Sequence, residues 1–220
     1  MKKYCQSEQA KEMSVGIVYQ DLGYDDEDKF DSFVSSIIDR ASRFIDRITN
    51  RPDDFFSGGV AITEYKDGKE DMSRVLSSDS ERAAIQDEAR RTYFLMHQPV
   101  LTVSSISKNV AQLGSTDSWT AITKYRLNLT SGRLVIASGS APSQGIDNLK
   151  IVYTAGFTTV PTDIRFVCEE LVANQLKALV QQGMAVKVRF AQPTLVNFSN
   201  PKVLTESIKE RLAPYTSRRI

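Results

Sequence analysis

The stretch from Asn148 to Gly183, NLKIVYTAGFTTVPTDIRFVCEELVANQLKALVQQG, constrains the fold more than any other part of the chain. Leu149, Ile151 and Tyr153 alternate with Lys150, Val152 and Thr154. That is the period of a half-buried strand, in residues that favour strands. Gly156 follows, and glycine alone turns freely through positive φ. Pro161 precedes a helix that Thr162 or Asp163 is placed to cap. From Ile164 the positions Val167, Cys168, Leu171, Val172, Gln175, Leu176, Leu179 and Val180 fall at helical spacing on one broad stripe. Gly183 is a natural helix stop. The prediction is strand, glycine turn and long helix.

A second helical stripe runs through Phe30, Phe33, Val34, Ile37, Ile38, Ala41, Phe44, Ile45 and Ile48. Asp25, Asp26, Glu27 and Asp28 stand where this helix begins, and the helix dipole favours carboxylates there. A cation site is the other reading of that run. It lacks the alternating Asp/Asn pattern and closing Glu of a calcium loop. Asn50-Arg51-Pro52 ends the helix. Between the two helices the chain reads as β structure. Residues 58–72 suggest a hairpin turning at Lys66-Asp67-Gly68. Residues 73–90 read as a surface excursion, 92–110 as strand broken at Pro99, and 119–136 as two strands around Ser131-Gly132. Residues 138–147 form a Gly/Ser/Pro loop.

The ends are less regular. Residues 1–13 are polar and expected to fray. Residues 15–24 read as a short strand or extended arm, and 186–200 as a second arm with Val186, Val188 and Phe190 alternating. Asn200-Pro201 is a good start for a short helix carrying Leu204, Ile208 and Leu212 on one line. Pro214 closes it, and Tyr215, Arg218, Arg219 and Ile220 follow. The expected fold class is α+β: a core of two long helices (about 26–48 and 161–182) plus a C-terminal helix, with an antiparallel β insertion. The chain divides into 1–57 (arm and first core helix), 58–154 (β insertion), 155–183 (second core helix) and 184–220 (arm, C-terminal helix and tail).

The chemistry for catalysis is sparse. The single histidine, His97, has no cysteine or second histidine at metal-ligand spacing. No nucleophile elbow or phosphate-binding loop is present. The sequence therefore predicts no catalytic residue, no metal and no cofactor. With a net charge of +1, composition gives no argument for a general nucleic-acid or membrane binder. No apolar run approaches the roughly 20 residues of a membrane span. Cys168 lies on the apolar helix face and Cys5 in the polar N-terminal segment, so no disulfide is expected between them. Reduced thiols fit a cytosolic site of synthesis. Phe166 lies off the main stripe of its helix. A large apolar residue there points to a neighbouring subunit or to contact with the β region.

IVYTAGFTTVPTDIRFVCEELVANQ, IIDRASRFIDRITNRPDDFF and QPVLTVSSISK resemble the signature of tailed-phage head-to-tail connector (adaptor) proteins. In that family a strand ending V-x-Y-x-A-G-[FY] leads through V-P-x-D-[IL] into a helix, and Asn50 here replaces a more usual glycine. The resemblance covers the two helices and most strands. It implies a structural virion neck protein, not an enzyme. Such proteins form a homo-oligomer, commonly a dodecameric ring, under the portal. They contact the stopper or tail-completion protein and extend a channel through which DNA passes without sequence-specific binding. It further implies that a C-terminal segment grips the portal, here Leu204, Ile208, Leu212, Tyr215, Arg218, Arg219 and Ile220. Gly156 and Pro161 would then be the structural turn, Phe166 a subunit interface, and Asp25, Asp26, Glu27 and Asp28 a lumen edge. A stopper or tail terminator of the same neck is the alternative. From a different class, so is a small α+β enzyme or binding protein with an unrecognised site.

Overall fold

The computed structural model describes residues 3–14, 16–68, 88, 91–111, 116–181, 198 and 204–217. The chain packs as two compact units, Met1–Gly58 with Phe157–Ser217, and Gly59–Gly156. The fold is α+β, with a long helix pair, a C-terminal helix and antiparallel sheets.

The first unit is helical. Helix α1 spans Ser7–Met13 and α2 spans Glu27–Ile48. Asp26 caps α2 by accepting the Asp28 N–H at 3.0 Å, and Phe30, Val34, Ile37, Ile38, Ala41 and Ile45 form its buried stripe. The helix ends in a Schellman arrangement: the Asn50 N–H donates to the Arg47 carbonyl and the Arg51 N–H to the Asp46 carbonyl. Asn50 sits at φ 54, the left-handed position at which asparagine is the common substitute for glycine. Asn50 thus serves as the usual glycine would.

Helix α3 spans Thr162–Gln181 and is buried on more than one stripe, including Ala173 and Ala178. The reason is that α1, α2 and α4, the last spanning Glu206–Leu212, all pack on it. A helix surrounded by others needs apolar residues around most of its circumference. Its N-terminus differs from the sequence reading. The Arg165 N–H donates to the Pro161 carbonyl, so Pro161 holds the cap position while Thr162 and Asp163 lie inside the first turn.

Three expectations for the ends are corrected. Residues 3–13 do not fray: Tyr4 and Cys5 are buried and α1 docks on α3. Residues 16–24 form neither strand nor arm but contain a 3-10 turn, Tyr19–Leu22, closed by Gly23 at φ 72. The C-terminal helix starts at Glu206, capped by the Thr205 hydroxyl, which accepts the Ile208 N–H at 3.3 Å; it does not start at Asn200. The arm at 186–200 and the stop at Gly183 lie outside the described residues, apart from Phe198, whose ring packs 5.5 Å from Phe44.

The second unit holds two antiparallel sheets. Its strands are β1 (Val60–Gly68), β2 (Thr92–Phe94), β3 (Val100–Asn109), β4 (Trp119–Ala121), β5 (Tyr125–Asn128), β6 (Arg133–Ile136) and β7 (Gly145–Ala155). One sheet has the order β1-β7-β3-β4 and the other β2-β6-β5. Strand β7 is paired on both sides and turns Leu149, Ile151, Tyr153 and Ala155 into the core. It begins at Gly145, inside the expected 138–147 loop.

The expected 58–72 hairpin is absent from the described part of that range. Asp67 and Gly68 end β1, which pairs with distant β7. Gly68 is there for close approach: a Cβ would lie 1.7 Å from the Ser143 carbonyl oxygen. Ser131-Gly132 does join two strands, β5 and β6. In β5, however, Tyr125 is exposed and Leu127 only half-buried, because β5 is the edge strand of its sheet, whereas their partners Ile136 and Leu134 sit on the central strand β6 and are buried.

Gly156 lies at φ 130, and its N–H donates to the Pro99 carbonyl at 2.9 Å. A β-branched residue is strained at that angle by roughly 1–3 kcal/mol. Gly156→Val is therefore expected to lower the unfolding midpoint in urea by a corresponding amount. Wild-type stability in the variant would show that the turn does not depend on glycine.

Candidate assembly surfaces

The end of α2, the start of α3 and the C-terminal segment meet in an aromatic cluster within the helical unit. Phe56 stacks on Phe157 at 5.7 Å, and Tyr215 meets Phe56 and Phe157 edge-on at 5.8 and 6.0 Å. Tyr4 meets Phe56 edge-on at 5.7 Å. The Arg51 guanidinium lies 4.7 Å from the Phe55 ring and donates through Nε to the Tyr215 carbonyl at 3.0 Å. The Tyr215 hydroxyl donates to Asp163 at 3.0 Å, and the Ser217 N–H to the Thr49 carbonyl at 2.8 Å. Burial raises the Tyr215 pKa, and Asp163 adds to the effect.

Beneath this cluster lies a carboxylate that the sequence reading did not single out. Asp46 is 1% exposed; its Oδ1 accepts the Tyr4 hydroxyl at 2.5 Å and its Oδ2 the Asp54 N–H at 3.0 Å. Burial pushes its pKa up to about 7, against the lowering by these two donors, and Asp53 and Asp54 push the same way as burial. Cys5 and Cys168 are both free and buried, with sulfurs 3.1 Å apart. Burial, then Cys5, raises the Cys168 thiol well above its ordinary range. Their proximity was hidden because Cys5 sits in a polar sequence segment.

The expected site residues fall in different settings. Ile208 and Leu212 are buried by the chain's own helical unit, where α4 packs on α3, and Leu204 is half-buried. Tyr215 belongs to the aromatic cluster. Arg218, Arg219 and Ile220 lie outside the described residues. Gly156 and Pro161 occupy the strand-to-helix connection. Phe166 is 40% exposed, with the Arg165 guanidinium 5.5 Å from its ring. Asp25, Asp26, Glu27 and Asp28 are all exposed at the start of α2, and Glu27 reaches Lys11 only at 3.8 Å.

The second unit carries a feature missed in the sequence. A groove of about 820 Å³ on the β2-β6-β5 sheet is lined by Arg91, Lys124, Arg126 and Arg133, with Glu88 as its carboxylate. Arg133 is held by Glu88 at 2.7 Å, and Arg91 donates to the Ile136 carbonyl at 2.8 Å. The signal was faint: four cations spread over more than forty positions, gathered only by strand pairing. Among the described residues no group of three or more His, Cys, Asp or Glu is placed to hold a metal, and no helix is long and apolar enough to cross a membrane. His97 lies between β2 and β3, its N–H donating to the Tyr153 hydroxyl at 3.3 Å.

The helical unit thus carries an exposed acidic run at the start of α2, and the β unit a basic groove. The chain belongs to the head completion protein family, whose model matches residues 18–187. Its role is accordingly in completing the head. No curated protein matches the chain. Solved structures similar to it include one titled neck of an empty GTA particle computed with C6 symmetry, at 16% identity over 97% of this chain and 89% of that chain, TM-score 0.48. Another is the neck of a native GTA particle computed with C12 symmetry, at 17% identity over 88% and 87%, TM-score 0.46. A third is the virion of a native gene transfer agent particle, at 15% identity over 97% and 89%, TM-score 0.47.

Asp46 gives a pH test. Its folded pKa of about 7 lies above the unfolded carboxylate value near 4. Between those values the folded state holds a proton that the unfolded state has released, so this group's stabilising contribution falls as pH rises from about 4 to 7 and is lost above. The raised pKa corresponds to at most about 4 kcal/mol. Asp46→Asn should flatten this part of the stability–pH curve. Urea unfolding of both forms from pH 4.5 to 8.5 checks it, and parallel curves would show that Asp46 titrates normally.

Proposed function

We propose that the protein is a head-to-tail adaptor without catalytic activity. Copies form a ring, commonly dodecameric, under the portal, extend the DNA channel, and hand over to a stopper or tail-completion protein. The observation that carries this reading is the family match. It runs unbroken through α2, the whole β unit and α3, so both packed units belong to the head-completing protein.

The proposed portal anchor is the C-terminal segment, and the packing divides its work. Ile208 and Leu212 seat α4 on α3, and Tyr215 locks the following turn to Asp163 and the aromatic cluster. Arg218, Arg219 and Ile220 are then the residues proposed to reach the portal, where arginine is a typical interface anchor. Leu204, only half-buried, would lie at the rim of that contact. Phe166 is proposed to meet a neighbouring subunit, and the Asp25–Asp28 tip to lie at the lumen edge of a contact between subunits. An acidic surface does not hold phosphates, so a duplex can slide past it.

Deletion of residues 218–220 should leave the unfolding midpoint unchanged and abolish capture by purified portal. Deletion of 214–220 should also lower stability by roughly 2 kcal/mol or more, because it removes the Tyr215 ring and its hydrogen bonds. Capture of the 218–220 deletion at wild-type level, with normal tail attachment, would place the anchor elsewhere.

A further inference from the structure

We propose that the basic groove on the β2-β6-β5 sheet receives the acidic tip of α2 from the next copy of this chain. The inference rests on the ring reading above and names the surfaces that would build the ring. Among the described residues the groove presents four cations against one carboxylate. Arg133 is engaged by Glu88, whereas Lys124 and Arg126 are exposed and make no ion pair with any described residue. Tyr125 and Val135 supply the apolar part of the same surface.

The complementary surface is on the same chain. Asp25, Asp26, Glu27 and Asp28 are exposed at the start of α2, with Asp21 and Asp31 beside them and, among the described residues, only Lys11 and Lys29 as nearby cations in sequence or contact. The Asp26 carboxylate is turned onto the Asp28 N–H, but Asp25 and Asp28 carry no ion pair with a described residue. The formal net charge of +1 therefore hides two patches of opposite sign, one in each unit.

Two different, complementary patches on one polypeptide make a heterologous contact. Such contacts propagate head to tail and close into rings, whereas a self-complementary patch gives a two-fold dimer. Exposed ion pairs contribute little stability but set register and suppress wrong partners. A duplex-binding role for the groove is the competing reading. The acidic tip favours the neighbouring copy, because it supplies a matching surface at the same stoichiometry.

The test uses the full-length chain. Light and 15N-labelled protein are mixed and treated with a zero-length carboxylate–amine cross-linker. The expected product joins Lys124 of one isotope to a carboxylate of residues 25–28 of the other. Two charge reversals follow, Lys124→Glu with Arg126→Glu, and Asp25→Lys with Asp28→Lys, sparing the Asp26 cap. Each alone should weaken association by about ten-fold or more in sedimentation velocity, and mixing the two variants should restore it. Raising salt should weaken the wild-type contact. Absence of the mixed-isotope cross-link overturns the inference, as does a mixture no better than either variant alone. So does a Lys124 cross-link confined to carboxylates of its own chain. Loss of duplex retardation in Lys124→Glu/Arg126→Glu with association intact would assign the groove to DNA instead. Rings seen in particle necks for every variant would sink this contact and leave the ring reading standing; no ring in wild-type necks would sink both.

Discussion

The helical unit depends on how the carboxylate of Asp46 is satisfied. A carboxylate removed from water is costly unless donors replace the solvent. Here they come from far apart in the sequence: the Tyr4 hydroxyl from the N-terminal segment and the Asp54 N–H from beyond the end of α2. The backbone of the same residue accepts the Arg51 N–H that closes the helix. One residue thus fixes where α2 stops, where the N-terminus lies, and how the Phe55-Phe56 turn enters the core. The Tyr4 ring against Phe56 then carries that order into the cluster that receives Phe157 and Tyr215.

The β unit uses the same device on a smaller scale. Glu64 stands on the inward side of β1 with its side chain only 10% exposed. It accepts the Tyr153 hydroxyl at 2.8 Å, lies 2.6 Å from the Lys66 ammonium, and accepts the Met96 N–H at 3.2 Å. The Tyr153 hydroxyl in turn accepts the His97 N–H. The network joins β1, the centre of β7 and the turn after β2. An acid inside a strand becomes tolerable because the Tyr153 hydroxyl, the Lys66 ammonium and the Met96 N–H are aimed at it.

What could be read from the sequence followed from how local its cause was. The α2 stripe and the β7–turn–α3 stretch depend on periodicity within a few residues, and both are present. Asn50 could be matched to a glycine position because the Schellman end is built within one turn. The errors share a different cause. Asp67-Gly68 has the composition of a hairpin turn, but Gly68 answers to Ser143, a backbone neighbour seventy-odd positions away. Tyr4 and Cys5 looked solvated because their partners, Asp46 and Cys168, lie 42 and 163 positions away. The C-terminal helix was placed too early because Asn200-Pro201 is a good local start, while Thr205 is the residue whose hydroxyl makes the cap. The Arg91, Lys124, Arg126 and Arg133 groove was invisible for the same reason, since β5–β6 pairing and the approach of Arg91 assemble it.

A protein that completes a head must hold its own shape before it meets its neighbours, and the packing explains how both demands are served. The apolar line of α4 that looked unpartnered in the sequence is spent inside the subunit: Ile208 and Leu212 are covered by α3. This keeps a large hydrophobic strip off the surface, where it would promote association with wrong partners. What is left outside is mostly polar, charged or isolated apolar, such as Phe166 beneath its arginine. Surfaces of that kind bind weakly one at a time and strongly only when many act together. The proposed ring would be such a case, because each subunit would repeat every contact. In it, segregated charge on a nearly neutral chain would set which side of one copy meets which side of the next, with the buried Asp46 and Glu64 networks holding each copy's shape.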